Sequence, residues 1–589
     1  MVINNVLIKK KHANFILGLV YLIPVLLVFW FMNAFYVNVP YWDEWSLVPF
    51  FETIANGSVN FEDFFTQHNE HRILFPRIIF AALSFASNLN LYLHIFFSLF
   101  IVVITFLSIH KLTVIDRIKG EKKFLYILFN VLSCFLLFSL IQYENWLWGF
   151  QVAWFLINAC VVISVLIIVA ARNLSANIRL LLSGLCCIVA SFSSAHGLLS
   201  WLALIPSVLS LEGNTNRRIA RLGVWITLFM VCFVIYTYGY QKPGHHPDTL
   251  FFLKNPLISG RYLLTIIGYP LGKTLFLSQA IGFLILLSFL FFNLYCLKNY
   301  KSKLTLHAIP WLSIGWFAAL FAAMTTVGRS GFGVEQAMAS RYTSVLILLS
   351  VSILQLYRLF LSHHHIENTK NNKLYSRIIP IFLISIFVTF FLSTNIHAIS
   401  EAKQISVSRR FGKTCLELVE FLDKSIDNAS NNCINYIYPN TEHLKDYANK
   451  LEEIGFREFP ENIVFQEQTL ETHGYIDITG KTKSIMELYK SDTLQMAGWA
   501  ILPKRTQQPK LVFISYDDEH SFFAYAIIKL DRPDVEKALK SSLYRKSGWE
   551  TSVPLKNIPL GEHTIHAWVY GRELKKFIKL NNEINVKIS

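Results

Sequence analysis

Charged residues are scarce in this chain. Of its 589 residues only 16% are Asp, Glu, Lys or Arg and 53% are hydrophobic, whereas about a quarter of the residues in soluble domains are charged. This composition excludes an ordinary soluble protein and favours one that crosses a membrane. The net charge of +15 does not indicate a nucleic-acid partner, because many Lys and Arg lie in short loops between apolar runs, where they orient helices. No RNA-binding signature accompanies them.

The sequence also lacks the common cysteine and phosphate-loop motifs. It contains no CxxC pair, no zinc-ligand spacing and no Walker GK[ST] ending. Six of the eight cysteines lie in apolar runs and are predicted to pack as small residues. The other two, Cys415 and Cys433, lie in a polar region and could form a disulfide if that region is extracytoplasmic. No inverted pair of Gly/Pro-broken apolar runs, typical of secondary transporters, is evident.

Long apolar runs recur up to about residue 395, each of about 17 to 25 residues and so long enough to span a bilayer. The first lacks a small-residue cleavage site and follows the basic IKKKH, which predicts a retained signal-anchor helix with a cytoplasmic N-terminus. Segment 73–87 is short and interrupted by Pro76 and Arg77, and we predict an interfacial helix on the outer face. The predicted spans, about eleven in number, are 13–36, 91–109, 124–141, 152–171, 179–194, 197–211, 223–239, 274–297, 308–326, 342–360 and 376–395.

This topology places the basic loops in the cytoplasm and the loops with unusual residues on the outer face. Outer loop one, 37–90, contains YWDEW and HNEHR. Later outer loops contain QYENWLWGFQ, SSAHG, YGYQKPGHHP and GRSGFGVEQAMASRY. Such a collection of acidic, His, Arg and amide side chains on one face favours an active site over simple connectors.

Asp43 and Glu44 stand side by side directly after the first span. Adjacent acids at a helix exit are often only solvated interfacial charges, with Trp42 and Trp45 as membrane-belt aromatics. This pair, however, opens a long loop that carries a second polar cluster. A carboxylate in that position could act as a general base for an acceptor hydroxyl, or could bind a divalent cation such as Mg or Mn.

The second cluster contains His68, Glu70, His71 and Arg72. In a helix, His68, His71 and Arg72 would share one face, as on an amphipathic surface helix. The functional alternatives are a site for a phosphate or an acceptor and a metal site. We rank the metal site lower, because two His without a third ligand are weak evidence for a metal.

Two later outer loops suit sugar and phosphate chemistry. Glu144 and Asn145 lie between aromatic residues. This pattern suits a sugar-binding site, where rings stack on the sugar and amides reach its hydroxyl groups, but it also suits a loop that is only anchored at the membrane interface. Arg329 and Arg341 flank a Gly-rich stretch, and paired guanidinium groups fit a phosphate or diphosphate. Lys242 lies on the same face of the membrane. Its loop has two alternative interpretations: a further phosphate ligand, or a simple turn.

Beyond residue 395 the chain is more polar. Residues 396–466 are predicted to be mainly helical with one strand, CINYIYP, which Cys415–Cys433 would join to the first helix. Residues 467–589 contain short strands at spacings that suit a β-sandwich. Its tryptophans 499, 549 and 568 are predicted to lie in the core rather than to form a carbohydrate platform.

Residues 1–395 resemble the GT-C superfamily of integral membrane glycosyltransferases, by their topology and by Asp43-Glu44 soon after the first span. The bacterial members that modify lipopolysaccharide or O-antigen are the most similar, and comparable β-sandwich modules are appended to envelope glycosyltransferases. The resemblance implies a multi-pass protein of the bacterial inner membrane with a periplasmic C-terminal region. It implies inverting transfer of a sugar from a polyprenyl phosphate or diphosphate to an envelope glycan or glycolipid, with Asp43 or Glu44 as the base.

Two alternatives stay open at this point: a lipid-linked glycan flippase or other transporter, and a non-catalytic envelope-assembly protein. A glycan polymerase or ligase would share the same donor. Beside Asp43 and Glu44, the candidate residues are Arg72, Lys242, Arg329 and Arg341 for the donor phosphate, and His68, Glu70, His71, Glu144, Asn145 and His245 for the acceptor or sugar.

Overall fold

The computed structural model of the chain divides into two compact units. The first, the helical unit, contains Met1–Asn38 and Ser58–Ser406, and the second, the sheet unit, contains Val39–Gly57 and Val407–Ser589. The described residues are 2–244, 247–367, 375–421, 433–439, 443–459, 463–467, 470–477, 485–506, 508–517 and 522–589.

The helices, numbered along the chain, are α1 (Val2–Phe35), α2 (Val48–Ala55), α3 (Phe61–Phe65), α4 (Leu74–Ser87), α5 (Tyr92–Ile115), α6 (Lys123–Leu137), α7 (Tyr143–Leu147), α8 (Val152–Ala170), α9 (Ala176–Ser191), α10 (Leu199–Ala203), α11 (Ile205–Leu209), α12 (Thr215–Thr237), α13 (Phe251–Lys254), α14 (Pro256–Gly268), α15 (Leu275–Lys298), α16 (Lys303–Arg329), α17 (Thr343–Glu367), α18 (Tyr375–Glu417), α19 (Leu444–Glu453) and α20 (Pro533–Ala538). The strands are β1 (Gln67–His68), β2 (His71–Arg72), β3 (Val464–Gln466), β4 (Gly474–Ile476), β5 (Met486–Leu488), β6 (Thr493–Ala500), β7 (Leu511–Tyr516), β8 (Ala524–Leu530), β9 (Gly548–Pro554), β10 (Gly561–Gly571), β11 (Lys576–Lys579) and β12 (Ile584–Ile588).

Within the described residues, eight helical segments are long and apolar enough to cross a membrane. Each coincides with a predicted span. They are Ile16–Phe35, Tyr92–Ile115, Lys123–Leu147, Gly149–Ala170, Thr215–Thr237, Leu275–Lys298, Lys303–Phe332 and Ser340–His363.

The other predicted spans differ from this group. The spans at 179–194 and 197–211 fall on shorter apolar helices, Ala176–Ser191 and Ala195–Leu209. The second is broken at Leu204, where a new helix starts with Pro206 near its N-terminus, because proline cannot donate a backbone hydrogen bond within a helix. The span at 376–395 falls in α18, whose first side chains lie outside the described residues.

Segment 73–87 forms helix α4 of 14 residues, as the sequence predicts. Its Arg77 is buried and donates hydrogen bonds to the backbone carbonyls of Asp63, Phe64 and Thr66 at 3.0, 3.2 and 2.5 Å. Arg77, which interrupts the apolar pattern, therefore holds the backbone of residues 63–66 against α4.

Helices α14 and α15 approach each other closely through glycine. A Cβ atom placed on Gly268 would lie 1.9 Å from the carbonyl oxygen of Ser278, and one on Gly282 would lie 1.9 Å from that of Leu264. Side chains are therefore excluded at both positions. This contact fixes the turn after α14, where Tyr269 is buried with 3% of its surface exposed.

A buried charge cluster joins α17 to the connection between α5 and α6. The Arg358 guanidinium donates to Asp116 at 2.5 Å and to both carboxylate oxygens of Glu121 at 3.0 and 3.1 Å. Trp311 donates to the other oxygen of Asp116 at 2.5 Å. Arg358 is fully buried, and burial raises the pKa of both the Asp116 and the Glu121 carboxyl groups while Arg358 opposes the rise.

The described strands of the sheet unit form one ten-stranded curled sheet. Its order is β3-β11-β10-β7-β8-β9-β6-β4, and β12 pairs with β10 and β5. All pairs except β11–β3 and β12–β5 are antiparallel. The predicted β-rich C-terminal region is thus confirmed, as a continuous curled sheet.

Three details of the sheet unit bear on the sequence predictions. The predicted strand CINYIYP is wrong, because Cys433–Tyr436 form a 3-10 helix. Trp549 and Trp568 lie in the core with 1% and 3% of their surfaces exposed, whereas Trp499 is half-buried beside Tyr475. Cys415 is disulfide-bonded, and the side chain of its predicted partner, Cys433, lies outside the described residues.

Replacement of Arg358 by alanine should destabilise the helical unit by about 3–5 kcal/mol, because it leaves two buried carboxylates without their cation. Both carboxyl pKa values are raised in the folded chain. Protonation of these carboxyl groups therefore favours the folded state, so the loss should be smallest at acidic pH and grow as the pH rises. Thermal unfolding in detergent at several pH values measures this. Arg218→Ala, at an exposed arginine of α12 that lies outside this cluster, is the control, and equal Tm values for the two variants would contradict the prediction.

Candidate functional site

The acidic pair lies in the sheet unit, in a short 3-10 helix, Trp42–Leu47. The Glu44 carboxylate accepts a hydrogen bond from the Tyr41 backbone N–H at 2.8 Å and is 5% exposed. Asp43 is half-buried. Glu44 therefore caps the turn that presents Asp43.

Two further contacts hold this turn within the sheet unit. The Trp42 N–H donates to the carbonyl of Ile437 at 2.8 Å. The Arg409 guanidinium lies 3.8 Å from the centre of the Tyr41 ring, a cation–π distance. The turn is thus fixed by residues far along the chain, which the sequence does not reveal.

The HNEHR stretch is a β-hairpin, so the predicted helical face of His68, His71 and Arg72 is wrong. Strands β1 and β2 pair Gln67 with Arg72 and His68 with His71. Asn69 takes a left-handed φ of 47°, which asparagine tolerates better than most residues. The tip of the hairpin is formed by Asn69 and Glu70.

Glu70 binds Arg329, which ends helix α16. A guanidinium N–H of Arg329 donates to the Glu70 carboxylate, and the Nε2 of His71 lies 3.6 Å from the same oxygen. The side chains of Glu70, His71 and Arg329 are 17%, 16% and 22% exposed. The structure thus brings together three predicted site residues, two from loop one and one from the Gly-rich loop.

His71 lies next to a second histidine, His196, which is not among the site residues predicted from the sequence. The Nδ1 of His71 accepts a hydrogen bond from the Ala195 N–H at 3.3 Å, so the proton is on Nε2, toward Glu70. His196 lies behind it, with 5.9 Å between the ring centres, and its Nε2 is 3.2 Å from the Thr325 hydroxyl. Burial lowers the pKa of His196 to about 3, so this imidazole is neutral.

Arg72, a predicted phosphate ligand, is instead bound to backbone carbonyl groups of the protein. Its guanidinium donates to the carbonyls of Tyr236 at 2.8 Å, Phe65 at 3.1 Å and Tyr238, and 6% of the residue is exposed. These bonds fasten the hairpin to the end of α12. A phosphate could reach this guanidinium only by displacing backbone partners.

Glu144 and Asn145 bind the segment Ser340–Tyr342, which follows the Gly-rich stretch. The Glu144 carboxylate accepts from the Ser340 hydroxyl at 3.0 Å and from the Arg341 N–H at 2.9 Å, and it pairs with the Arg341 guanidinium at 3.3 Å. The Asn145 amide donates to the Arg341 carbonyl at 3.0 Å. Glu144 and Asn145 therefore position the segment that carries Arg341, whose side chain is 34% exposed.

The remaining predicted residues lie near the hairpin or outside the described residues. His68 packs on Phe150, with ring centres 5.0 Å apart. The exposed Lys242 donates to the Pro247 carbonyl at 2.9 Å. Gln67 and Gln241 bind each other at 2.6 and 3.1 Å, which draws the Lys242 segment to the hairpin. His245 lies outside the described residues.

Aromatic residues connect the two arginine clusters. The Tyr262 hydroxyl donates to Gln336, and both Arg329 and Arg341 lie close enough to influence its ionisation. Trp154 contacts His196 and Tyr342, with ring centres 5.4 and 6.4 Å apart. The two arginines therefore border one region of the helical unit.

Replacement of Glu44 by alanine should destabilise the sheet unit by roughly 1 kcal/mol, because the Tyr41 N–H loses its acceptor. Asp43→Asn should leave stability nearly unchanged, and Glu44→Gln, which keeps an acceptor oxygen, should fall between them. Thermal unfolding followed by tryptophan fluorescence measures all three variants. A loss of stability for Asp43→Asn as large as that for Glu44→Ala would contradict the assignment of the capping role to Glu44.

Comparison with models of known protein families gives no match for this chain. Comparison with curated proteins also gives no match.

Proposed function

We propose that the chain is a multi-pass glycosyltransferase of the bacterial inner membrane. It would transfer a sugar from a polyprenyl phosphate or diphosphate to an envelope glycan or glycolipid on the outer side, where the sheet unit would also lie. Three features support this: the eight long apolar helical segments, the acidic pair after the first of them, and the paired arginines that border one region. Such a donor requires both a membrane and a cationic site for its phosphate.

The observation that carries the proposal is the placement of Arg329 at the tip of the HNEHR hairpin. Its guanidinium is partly exposed and is held by a carboxylate that has a second partner within 3.6 Å, the Nε2 of His71. A donor phosphate would take the place of Glu70 on Arg329, and Glu70 would then pair with His71. The contact with the Nε2–H of His71 would leave Glu70 a polar partner after the exchange, and Arg329 would stay paired with an anion throughout.

Asp43 would act as the general base. It would take the proton of an acceptor hydroxyl, whose oxygen attacks the anomeric carbon while the bond from that carbon to the phosphate oxygen breaks. Arg329 and Arg341 would stabilise the negative charge that develops on the leaving phosphate. We prefer Asp43 to Glu44 because the Glu44 carboxylate caps its own turn.

The other candidates take smaller roles in this proposal. We leave Arg72, Glu144 and Asn145 out of direct substrate binding, because their polar groups bind the protein itself. Lys242 and His68 border the hairpin and could contact the donor or the acceptor.

Asp43→Asn should lower the rate of transfer by about 10²–10⁴-fold, the usual contribution of a general base, while Tm stays unchanged. The assay offers purified protein a panel of polyprenyl-phosphate sugars with envelope-glycan acceptors, with and without EDTA to test for Mg or Mn. Asp531→Asn, an exposed aspartate of the same unit, is the matched control. Full activity of Asp43→Asn would exclude Asp43 as the base.

Arg329→Gln and Arg341→Gln should each slow transfer by about 10²–10³-fold, as expected on removal of one group that stabilises developing charge. Arg261→Gln, at an exposed arginine of α14, should have no effect. Rates are measured at saturating donor so that weaker binding is not mistaken for slower chemistry. Normal rates in both variants would remove these arginines from the proposed site.

The flippase alternative makes a different prediction. The wild-type protein would transfer no sugar from any donor in the panel, yet would move a fluorescent lipid-linked glycan across the bilayer of proteoliposomes. That combination would contradict the glycosyltransferase proposal.

A further inference from the structure

The helical unit contains a cavity of about 400 Å³ whose lining includes neither Arg329 nor Arg341. A volume of this size lies within the range of about 300–1,000 Å³ that is usual for small-molecule sites. It is lined by residues from four separate segments, all in or beside loops that the sequence predicts on the outer face. The polar residues of the lining are Tyr143, Tyr269, Lys273, Glu335, Gln336, His397 and Glu401.

The lining of the cavity presents hydroxyl, carboxylate and imidazole groups close together. The hydroxyl groups of Tyr143 and Tyr269 interact with each other, and Glu401 lies close enough to both to influence their ionisation. The Nδ1 of His397 is 3.8 Å from Glu401, and these two side chains are 31% and 33% exposed. This set offers both donors and acceptors beside aromatic rings.

The lining is also held firmly. Tyr269 follows the glycine contact between α14 and α15. Tyr143 interacts with Ser340, which donates to Glu144 in the cluster that positions Arg341. A preformed polar cavity loses little conformational entropy when a ligand binds, which favours specific recognition.

The charges of the lining decide between classes of ligand. Glu335 and Glu401 are two carboxylates, against one ammonium group from Lys273. This excess of negative charge opposes a phosphate or another anion. A neutral ring with several hydroxyl groups can donate to the carboxylates, accept from Lys273 and pack on the tyrosines.

We propose that this cavity binds a neutral hexose ring of a saccharide substrate. The inference rests on the proposed function in one respect: the ring would belong either to the acceptor glycan or to the sugar of the donor. The cavity lies on the same segments as Arg341, so the ring would be held beside the phosphate-binding arginines.

The first test measures binding of free hexoses to the full chain in lipid nanodiscs by saturation-transfer difference NMR. The probes are glucose, galactose, mannose and N-acetylglucosamine, at millimolar concentrations, because ligands of this size usually bind in that range. At least one probe should bind the wild type, and Glu401→Gln and Tyr143→Phe should each weaken it about tenfold. Glu62→Gln, at an exposed glutamate of α3, should bind as the wild type does.

Two results would overturn the proposal. One is the absence of binding of all four hexoses to the wild type, and the other is unchanged binding in both cavity variants. All variants are compared by Tm, so that a misfolded variant is not counted as a loss of binding. Because Glu401 is one-third exposed, its replacement by glutamine is the more conservative variant for folding.

A second arm separates this proposal from the proposed reaction and identifies the source of the ring. Asp43→Asn should bind the hexose normally, so a failure of transfer does not remove the binding site. In the transfer assay, Glu401→Gln should raise KM about tenfold for the acceptor only, if the ring is the acceptor's, or for the donor only, if it is the donor's. Unchanged KM for both substrates would overturn the assignment to either one.

Discussion

Ion pairs between loops far apart in the sequence hold the candidate site together. Glu70 binds Arg329, and Glu144 binds Arg341, so each arginine of the Gly-rich loop is fixed by a carboxylate from another outer loop. Partly buried charges of this kind are stable only when paired, and loss of one partner leaves the other desolvated. The positions of the loops therefore depend on these pairs as well as on the helices beneath them.

The same pairing gives the site a way to accept an anion. Glu70 has Arg329 on one side and His71 on the other, and His71 is oriented by the Ala195 N–H. His196 behind it is neutral because of its burial, so the charge at the surface of this cluster is set by Glu70, Arg329 and any bound ligand. Glu144, by contrast, is fully engaged with Ser340 and Arg341 and keeps its segment in place.

Sequence patterns predict the features that depend on local composition. The eight long apolar segments, the helix at 73–87 and the β-rich nature of the C-terminal region follow from hydrophobic length and alternation. The HNEHR hairpin does not, because its helical spacing is accidental and its fold is set by the left-handed Asn69 and by the bonds of Arg72 to the end of α12. The partners of Glu144 lie nearly two hundred residues away, at Ser340 and Arg341, where no local pattern indicates them.

Phosphorus NMR of the donor tests the central claim most directly. A polyprenyl-phosphate hexose is a phosphodiester, and transfer of its sugar leaves a phosphomonoester with a distinct resonance. With the purified wild-type chain, we expect the diester signal to convert to the monoester signal only when an envelope-glycan acceptor is present. A donor that stays intact across the panel of sugars and acceptors, with a correctly folded protein, would contradict the glycosyltransferase assignment.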